Sequence, residues 1–200
     1  MSYWEHRKPV RRARAVDVEQ VAQAGVQLLD EGGLRALTIR AVAQRLGVAA
    51  ASLYSRVSSV DDLYDLALDY ALSTDQGLQR AIEGAGLHQL MMAFYRHLVA
   101  HPWACQVIAM RAPRGPNYLR LSERMCVLLA DQGAADPLGA AYTLSNFVIG
   151  SATTTPMARN ERTAPIDADI APEYAALHAE HEVEAASLVS NGLKALLAET

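Results

Sequence analysis

Residues 38–57 read TIRAVAQRLGVAAASLYSRV, and this stretch decides the fold that we expect for the first part of the chain. Apolar residues recur in it every three or four positions, which indicates two short amphipathic helices. Thr38 suits the N-cap of the first helix, and Gly47 allows a turn that a β-carbon would penalise. The second helix would run from about Ala49 to Ser55, so the stretch predicts a helix-turn-helix.

A further helix precedes this stretch. It would begin near Asp17, keep its apolar residues on one face, and stop at Gly32-Gly33, where left-handed backbone costs little. Three short helices with a tight glycine turn between the second and third describe a module whose last helix fits the DNA major groove. Such a pattern alone is weak evidence for DNA binding, so the identities of the residues in the segment carry more weight.

Residues 33–48, GLRALTIRAVAQRLGV, together with Leu53-Tyr54 and Asp62-Leu63, closely resemble the DNA-binding domain of TetR-family regulators. The resemblance covers about residues 17–70. It implies a dimeric transcription regulator that reads double-stranded DNA. The DNA-binding residues that we predict from it are Thr38, Arg40, Ala50, Ala51, Ser52, Tyr54 and Arg56.

Two positions depart from the family pattern. Arg56 stands where the family usually has a histidine or an aromatic residue, and Val60 stands where it usually has a lysine that contacts phosphate. We therefore expect Arg56 to replace that charge. Alanines at 49–51 offer methyl groups but no hydrogen bonds to bases, so sequence reading should rest on Arg40, methyl contacts and DNA shape.

The charge is unevenly distributed. Residues 1–60 hold nine Arg and Lys against five acids, a net charge of +4. Because the whole chain has a net charge of −4, residues 61–200 carry −8. A basic part joined to an acidic part is typical of a nucleic-acid module fused to another module, although a solvated charge cluster would look the same. The basic arm, residues 1–15, would either contact phosphate or the minor groove or form a disordered tail.

The whole chain is predicted to be all-α, with a helix-turn-helix DNA-binding domain at 16–60 and a helical ligand-binding and dimerisation domain at 61–200. A long helix starting near Asp61 would join the two domains. The further helices that we predict lie near 86–101, 103–110, 117–132, 137–158 and 173–198, with a loop at 159–172.

The second domain is rich in methionine and aromatic residues, which suit an adaptable apolar pocket. The resemblance implies that this domain binds a small, mainly apolar or aromatic ligand. Ordinary core packing is the alternative for each of the ligand-binding residues that we predict: Met91, Tyr95, Trp103, Met110, Tyr118, Ser122, Met125, Tyr142, Asn146 and Phe147.

The last two predicted helices would pair with a second copy to form a homodimer, as the resemblance implies. Small and apolar residues that would allow this packing, or equally an intramolecular core, are Ala141, Ser145, Ile149, Leu188, Val189, Gly192, Leu193 and Leu196. The functional prediction is a ligand-responsive repressor that binds a palindromic operator and is released by its ligand. A TetR-type activator or a ligand-independent regulator is the alternative.

An enzyme is the remote alternative. His97 with His101, and His178 with His181 or Glu182, have helical spacing that suits a metal, but no catalytic signature surrounds them. We therefore predict no enzyme and no cofactor. The two cysteines lie in apolar helical patterns, and no signal peptide or membrane span is evident, so we expect a cytoplasmic protein without a membrane partner.

Overall fold

The structure is a computed structural model that describes residues 2–6, 16–161, 164–180 and 184–198, with only the backbone of 158–161. The predicted basic residues from Arg7 to Arg14 lie outside the described residues, and so do His181 and Glu182. All regular structure within the described ranges is helical. This confirms the predicted all-α fold.

The structure contains short 3-10 turns at Tyr3–Glu5 and Leu34–Ala36. The α-helices in the described ranges are α1 Val18–Gly32, α2 Ile39–Arg45, α3 Ala50–Leu53, α4 Val60–Thr74, α5 Gln76–Gly84, α6 Leu87–Ala100, α7 Pro102–Met110, α8 Pro116–Asp131, α9 Pro137–Glu161, α10 Pro172–Glu180 and α11 Ala185–Ala198. We call α1–α3 the head and α5–α11 the body.

Helix α4 connects the head to the body. It packs along α1 in the head and against α8 in the body. Leu63 and Ala67 are buried toward its middle, and Leu72 is buried near its end. Because both ends of α4 are packed, a movement of this helix must disturb the head and the body together.

The body is built around α6. Leu90, Phe94 and Leu98 on this helix have no exposed surface. They form part of one apolar core with Leu121 of α8 and Val148 of α9, and α6 packs most extensively against α9. The four-residue spacing of the apolar positions on α6 is the helical period that the sequence displays.

The end of the chain differs from the sequence prediction. The single helix expected at 173–198 is two helices, α10 and α11. Glu184 explains the new start, because its carboxylate accepts a hydrogen bond from the backbone N–H of Ser187 at 2.6 Å and so caps α11. Helix α9 also runs to Glu161, through Pro156, beyond its predicted end at 158.

Helix α5 was not predicted from the sequence. Asp75 starts it by accepting a hydrogen bond from the backbone N–H of Leu78 at 2.9 Å. Leu78 and Ala81 supply its buried face. Helix α5 is short and mostly polar, and only two buried residues mark its apolar face. The helical spacing of apolar residues was therefore too weak to predict it.

Candidate DNA-binding surface and ligand domain

The turn between α2 and α3 is set by local chemistry. Thr38 caps α2, since its Oγ1 accepts a hydrogen bond from the backbone N–H of Ala41 at 3.0 Å. Gly47 follows with φ +66°, a left-handed value that favours glycine. Leu53 and Val57 are fully buried beneath α3 and fix it on the head. The structure therefore contains the predicted helix-turn-helix geometry.

The outer face of α3 is exposed. Ala51 and Ser52 point to solvent, Tyr54 is 52% exposed, and Ala50 is partly buried. Arg40 is exposed in the first turn of α2. Alanine and serine side chains keep this surface slim, as entry into a major groove requires.

Arg56 lies elsewhere than the sequence suggested. Its side chain is only 7% exposed, and its Nε donates a hydrogen bond to the carbonyl of Val16 at 2.8 Å. The guanidinium therefore ties the segment before α1 to the end of α3. This placement gives Arg56 a structural contact within the head, whereas the phosphate contact that we expected needs an exposed side chain.

A cavity of about 190 Å³ lies between α9 and α11 in the body. Phe147, Leu188 and Val189 form its apolar wall. Ser151, Thr154 and Thr155 contribute hydroxyl groups from α9. The cavity is partly open to solvent. A mainly apolar lining with a few placed polar groups is the usual composition of a small-molecule site.

The predicted ligand-binding residues do not all meet at this cavity. Phe147 lines it, and the Tyr95 hydroxyl lies 2.8 Å from Oγ1 of the lining residue Thr155. Those in the interior of the body are Met91, Trp103 and Met125, and the partly buried ones are Tyr118 and Ser122 on α8. The exposed ones are Met110, Tyr142 and Asn146.

Comparison with known proteins decides the family. A family model described as "Tetracyclin repressor-like, C-terminal domain" matches residues 84–191, which is more than half of the chain. The chain belongs to the TetR family. A second family model, "Bacterial regulatory proteins, tetR family", matches residues 21–66 and so covers the helix-turn-helix.

Named relatives agree with this TetR-family membership. An HTH-type transcriptional regulator of Saccharopolyspora erythraea is 34% identical over 181 residues, which are 87% of this chain and 75% of the relative. The HTH-type transcriptional repressor DrrR1 of Streptomyces coeruleorubidus is 32% identical over 157 residues, which are 73% of this chain and 56% of DrrR1. The chain is therefore a transcriptional regulator, and the prediction that it is not an enzyme is confirmed.

Solved TetR-family structures share the fold. The TetR-family protein ActR of Streptomyces coelicolor, in complex with (S)-DNPA, superposes with a TM-score of 0.72 at 23% identity. The superposition covers 92% of this chain and 96% of ActR. At this identity the likeness supports the fold and nothing finer.

In this TetR-family chain, one segment of the body holds α4 through three aspartates. Asp61, Asp65 and Asp69 lie four residues apart on one face of α4, and we call them the aspartate ladder. Arg111 lies 3.5 Å from Asp61 and 3.4 Å from Asp65. Asp69 accepts hydrogen bonds at 2.8 Å from the backbone N–H and from Nδ2 of Asn117.

Asp69 is the ladder residue that contacts Asn117 of α8. Burial raises its pKa above the ordinary value, and the hydrogen bonds from Asn117 oppose that rise. Gly115 passes so close that a β-carbon there would overlap the Asp69 carboxylate. A β-carbon at 115 would therefore have to displace the Asp69 side chain for the α7–α8 loop to approach α4 this closely.

A second contact joins the head directly to the body. Asp30, near the end of α1, accepts two hydrogen bonds on Oδ1, from Trp103 Nε1 at 2.6 Å and from His101 Nδ1 at 2.8 Å. Trp103 is only 3% exposed, so Asp30 supplies the acceptor for the N–H of a buried side chain. The head is thus attached to the start of α7.

The first residues of the chain also pack on α4. Asp65 Oδ2 accepts hydrogen bonds from the Ser2 hydroxyl at 3.1 Å and from the Tyr3 backbone N–H at 2.8 Å. His6 donates to Asp62 at 3.1 Å. Sequence reasoning missed this contact and the ladder; the four-residue spacing of the aspartates was the only visible signal.

Two of the histidines considered as metal ligands, His97 and His101, contact carboxylates. His97, 1% exposed, contacts Asp75 at 3.0 Å, and His101 contacts Asp30. Burial lowers the pKa of His97 below its ordinary value. Within the described ranges, no three His, Cys, Asp or Glu residues are grouped to hold a metal ion.

None of the described helices has the length and apolar character needed to cross a bilayer.

Proposed function

We propose that this TetR-family regulator is a cytoplasmic repressor that binds a palindromic operator as a homodimer and is released by a small, mainly apolar molecule. The observation that carries the proposal is the exposed outer face of α3 in the helix-turn-helix. The DrrR1 relative is named a transcriptional repressor. The structure of the ActR neighbour is a complex with (S)-DNPA.

The proposed DNA contacts come from α2 and α3. Ala50 and Ala51 meet base methyl groups, and the hydroxyls of Ser52 and Tyr54 meet phosphate. Arg40 reads a guanine edge, and Thr38 stands at the backbone beside it. The domain boundaries at 16–60 and 61–200 and the phosphate contacts of the basic arm are part of the same proposal.

The proposed dimer face lies on α9 and α11. Exposed apolar side chains there include Leu138, Tyr142 and Leu188. Several residues that the sequence suggested for this interface are instead buried within the chain, namely Ala141, Ser145, Val189 and Leu193. Burying the outward-facing residues against a second copy removes apolar surface from water and places two α3 helices on one operator.

The aspartate ladder supports a release mechanism. A ligand that favours another arrangement of the body would move the α7–α8 loop and the start of α8, and this segment holds α4 through Arg111 and Asn117. Helix α4 packs on α1, so the head moves with it. The ligand can shift the operator-binding population only by its differential affinity for the two arrangements.

Selection from a random duplex library tests DNA binding. We expect an enriched palindrome, bound by a dimer, with affinity that falls steeply as salt increases. Arg40→Ala should relax the base preference at one position of each half-site. Arg35→Ala is the matched control, because Arg35 is exposed in the head but lies outside the predicted contact set. A library that yields no enriched sequence contradicts the proposal.

A reporter gene behind the selected operator tests the direction of regulation. Expression of the wild-type protein should lower reporter output. Analytical ultracentrifugation of the wild-type protein should show a dimer. Increased output would instead identify an activator. A protein that remains monomeric when bound to the operator would remove the dimer from the proposal.

A further inference from the structure

Residues 2–6 form a compact turn that packs on the first half of α4, and we call them the N-terminal turn. Ser2 Oγ accepts a hydrogen bond from the backbone N–H of Trp4 at 3.4 Å, and the Glu5 carboxylate accepts one from the backbone N–H of Ser2 at 2.9 Å. Tyr3 is only 3% exposed and belongs to the apolar core. A turn that is both capped and buried has a defined position, so it can fix the parts of the head that it touches.

The helix that would enter the major groove needs support from outside. Helix α3 spans only Ala50–Leu53, and an isolated helix of fewer than about 12 residues is barely stable in water. The backbone N–H of Val57 donates to the carbonyl of Leu53 at 2.9 Å, so α3 leads directly into the turn at residues 54–59. We propose that the N-terminal turn positions α3 for reading the operator by holding residues 54–59. The inference rests on the proposed function, because it concerns how the operator is read.

Asp62 is the residue at which the N-terminal turn meets the α3–α4 turn. Its Oδ2 accepts hydrogen bonds from the backbone N–H of Ser58 at 2.6 Å and from Nε2 of His6 at 3.1 Å. The Asp62 side chain is only 2% exposed. A buried carboxylate that His6 also holds keeps a fixed direction toward Ser58, whereas a carboxylate released to water can rotate. The N-terminal turn thereby fixes Ser58, four positions after the predicted DNA contact Tyr54.

Asp65 attaches the other end of the N-terminal turn. Its Oδ2 accepts hydrogen bonds from the Ser2 hydroxyl at 3.1 Å and from the backbone N–H of Tyr3 at 2.8 Å. Its Oδ1 lies 3.4 Å from Nε of Arg111 in the body. Because Arg111 contacts the second oxygen, the Asp65 carboxylate is oriented toward the N-terminal turn. Asp65 therefore holds the start of this turn, and Asp62 holds its end.

Arg56 supplies a separate contact within residues 54–59. Its side chain is only 7% exposed, and its Nε donates to the carbonyl of Val16 at 2.8 Å. Residues 54–59 are thus held twice by residues that precede α1, through Val16 and through the N-terminal turn. None of these holding residues belongs to the helix-turn-helix itself.

The charge of the N-terminal turn separates positioning from direct DNA contact. Residues 2–6 contain no Arg or Lys, and Glu5 is acidic. General affinity for DNA comes mainly from cations that meet phosphate. The N-terminal turn should therefore affect the preference for the operator over other sequences, and leave the affinity for unrelated DNA nearly unchanged.

Hydrogen exchange on the DNA-free full chain tests whether the N-terminal turn holds residues 54–59. Tyr3→Ala removes the buried anchor, and His6→Ala removes the donor to Asp62. We expect the backbone amides of residues 54–59 to exchange faster in both variants, while those of α6 stay unchanged. His6→Gln should restore slow exchange, because its amide N–H can replace the imidazole donor.

Operator preference is the second measurement, taken as the ratio of affinities for the selected operator and for a shuffled duplex at one salt concentration. Tyr3→Ala and His6→Ala should lower this ratio by about tenfold, comparable to one mismatched base pair, and His6→Gln should restore it. Val148→Ala is the matched control, because Val148 is buried in the body. It should lower the melting temperature and leave the ratio unchanged.

The outcomes separate this inference from the proposed function. Unchanged exchange at residues 54–59 in both alanine variants overturns the inference. A lower ratio without faster exchange would mean that the N-terminal turn touches DNA directly, which also overturns it. Alanine variants that keep the operator preference of the wild type overturn the inference alone. A wild type that selects no operator overturns the proposed function, and exchange then decides by itself whether the N-terminal turn holds residues 54–59.

Discussion

Substitution of Asp30 by alanine removes the acceptor that the head provides to the body. In the wild-type protein, Asp30 Oδ1 accepts hydrogen bonds from Trp103 Nε1 at 2.6 Å and from His101 Nδ1 at 2.8 Å. The Trp103 side chain is buried, so its N–H loses its acceptor and can meet water only in the space that the carboxylate leaves. We therefore expect a loss of stability out of proportion to the exposed position of Asp30.

The cost follows from the type of bond. A hydrogen bond to a charged group contributes about 1.5–3 kcal/mol, and an orphaned buried donor costs about 1–3 kcal/mol. Asp30 itself is partly exposed, with 39% of its side-chain surface accessible, which places the expected loss near the lower end of both ranges. We expect Asp30→Ala to lower the free energy of unfolding by about 2 kcal/mol, or about 4–8 °C in melting temperature for a chain of this size.

Asp30→Asn is the matched control. Its amide oxygen can take the place of Oδ1, where both donors converge, so most of the lost stability should return. Urea denaturation followed by far-ultraviolet circular dichroism measures the free energy of unfolding for the wild type and both variants. A double-mutant cycle with Trp103→Phe isolates the pair, and its coupling energy should be about 1–2 kcal/mol.

Two results would refute the reasoning. If Asp30→Ala is as stable as the wild type, Trp103 has found another acceptor and the head is not attached through Asp30. If Asp30→Asn is as damaging as Asp30→Ala, the effect comes from the lost charge rather than from the hydrogen bonds. An additive double-mutant cycle would mean that the hydrogen bond between Asp30 and Trp103 does not stabilise the protein.

Three further predictions concern glycine, pH and assembly. Gly115→Ala should destabilise the protein by about 1–3 kcal/mol in urea denaturation, because its β-carbon would displace Asp69; Gly84→Ala, which meets open space, should not. The lowered pKa of His97 means that the unfolded state binds the proton more readily, so the free energy of unfolding should fall as the pH drops below about 6.5. His97→Asn should show a shallower fall, and parallel stability–pH profiles of the variant and the wild type would contradict this prediction. Tyr142→Glu, on the proposed dimer face, should weaken dimerisation in analytical ultracentrifugation by at least about tenfold, and an unchanged dimer would exclude Tyr142 from the interface.

The helix-turn-helix could be predicted from the sequence because its determinants are local. The cap at Thr38, the glycine turn at Gly47 and the apolar stripe of α2 all act within a few residues of where they are read. Apolar positions at three- and four-residue spacing also predicted most of the remaining helices. The break before α11 was missed because a glutamate cap at Glu184 leaves no gap in the apolar period.

The contacts on α4 could not be predicted, because each joins residues far apart in the chain. Asp65 accepts from Ser2, 63 positions away, and Asp69 accepts from Asn117, 48 positions away. Periodicity reports which side of a helix is apolar, but not which donor meets a buried carboxylate. The orientation of Arg56 was missed for the same reason, since its partner is a backbone carbonyl 40 positions away.

In the proposed release mechanism, three buried carboxylates would let α4 report the state of the body. Asp62 takes donors from the Ser58 backbone and His6, Asp65 takes them from the first residues and Arg111, and Asp69 takes them from Asn117. A buried carboxylate that loses its donors is costly, so α4 is not free to slide by small steps. In the proposed release mechanism, α4 exchanges one complete set of partners for another. An element with such discrete positions is what a ligand in the body would need to switch the head.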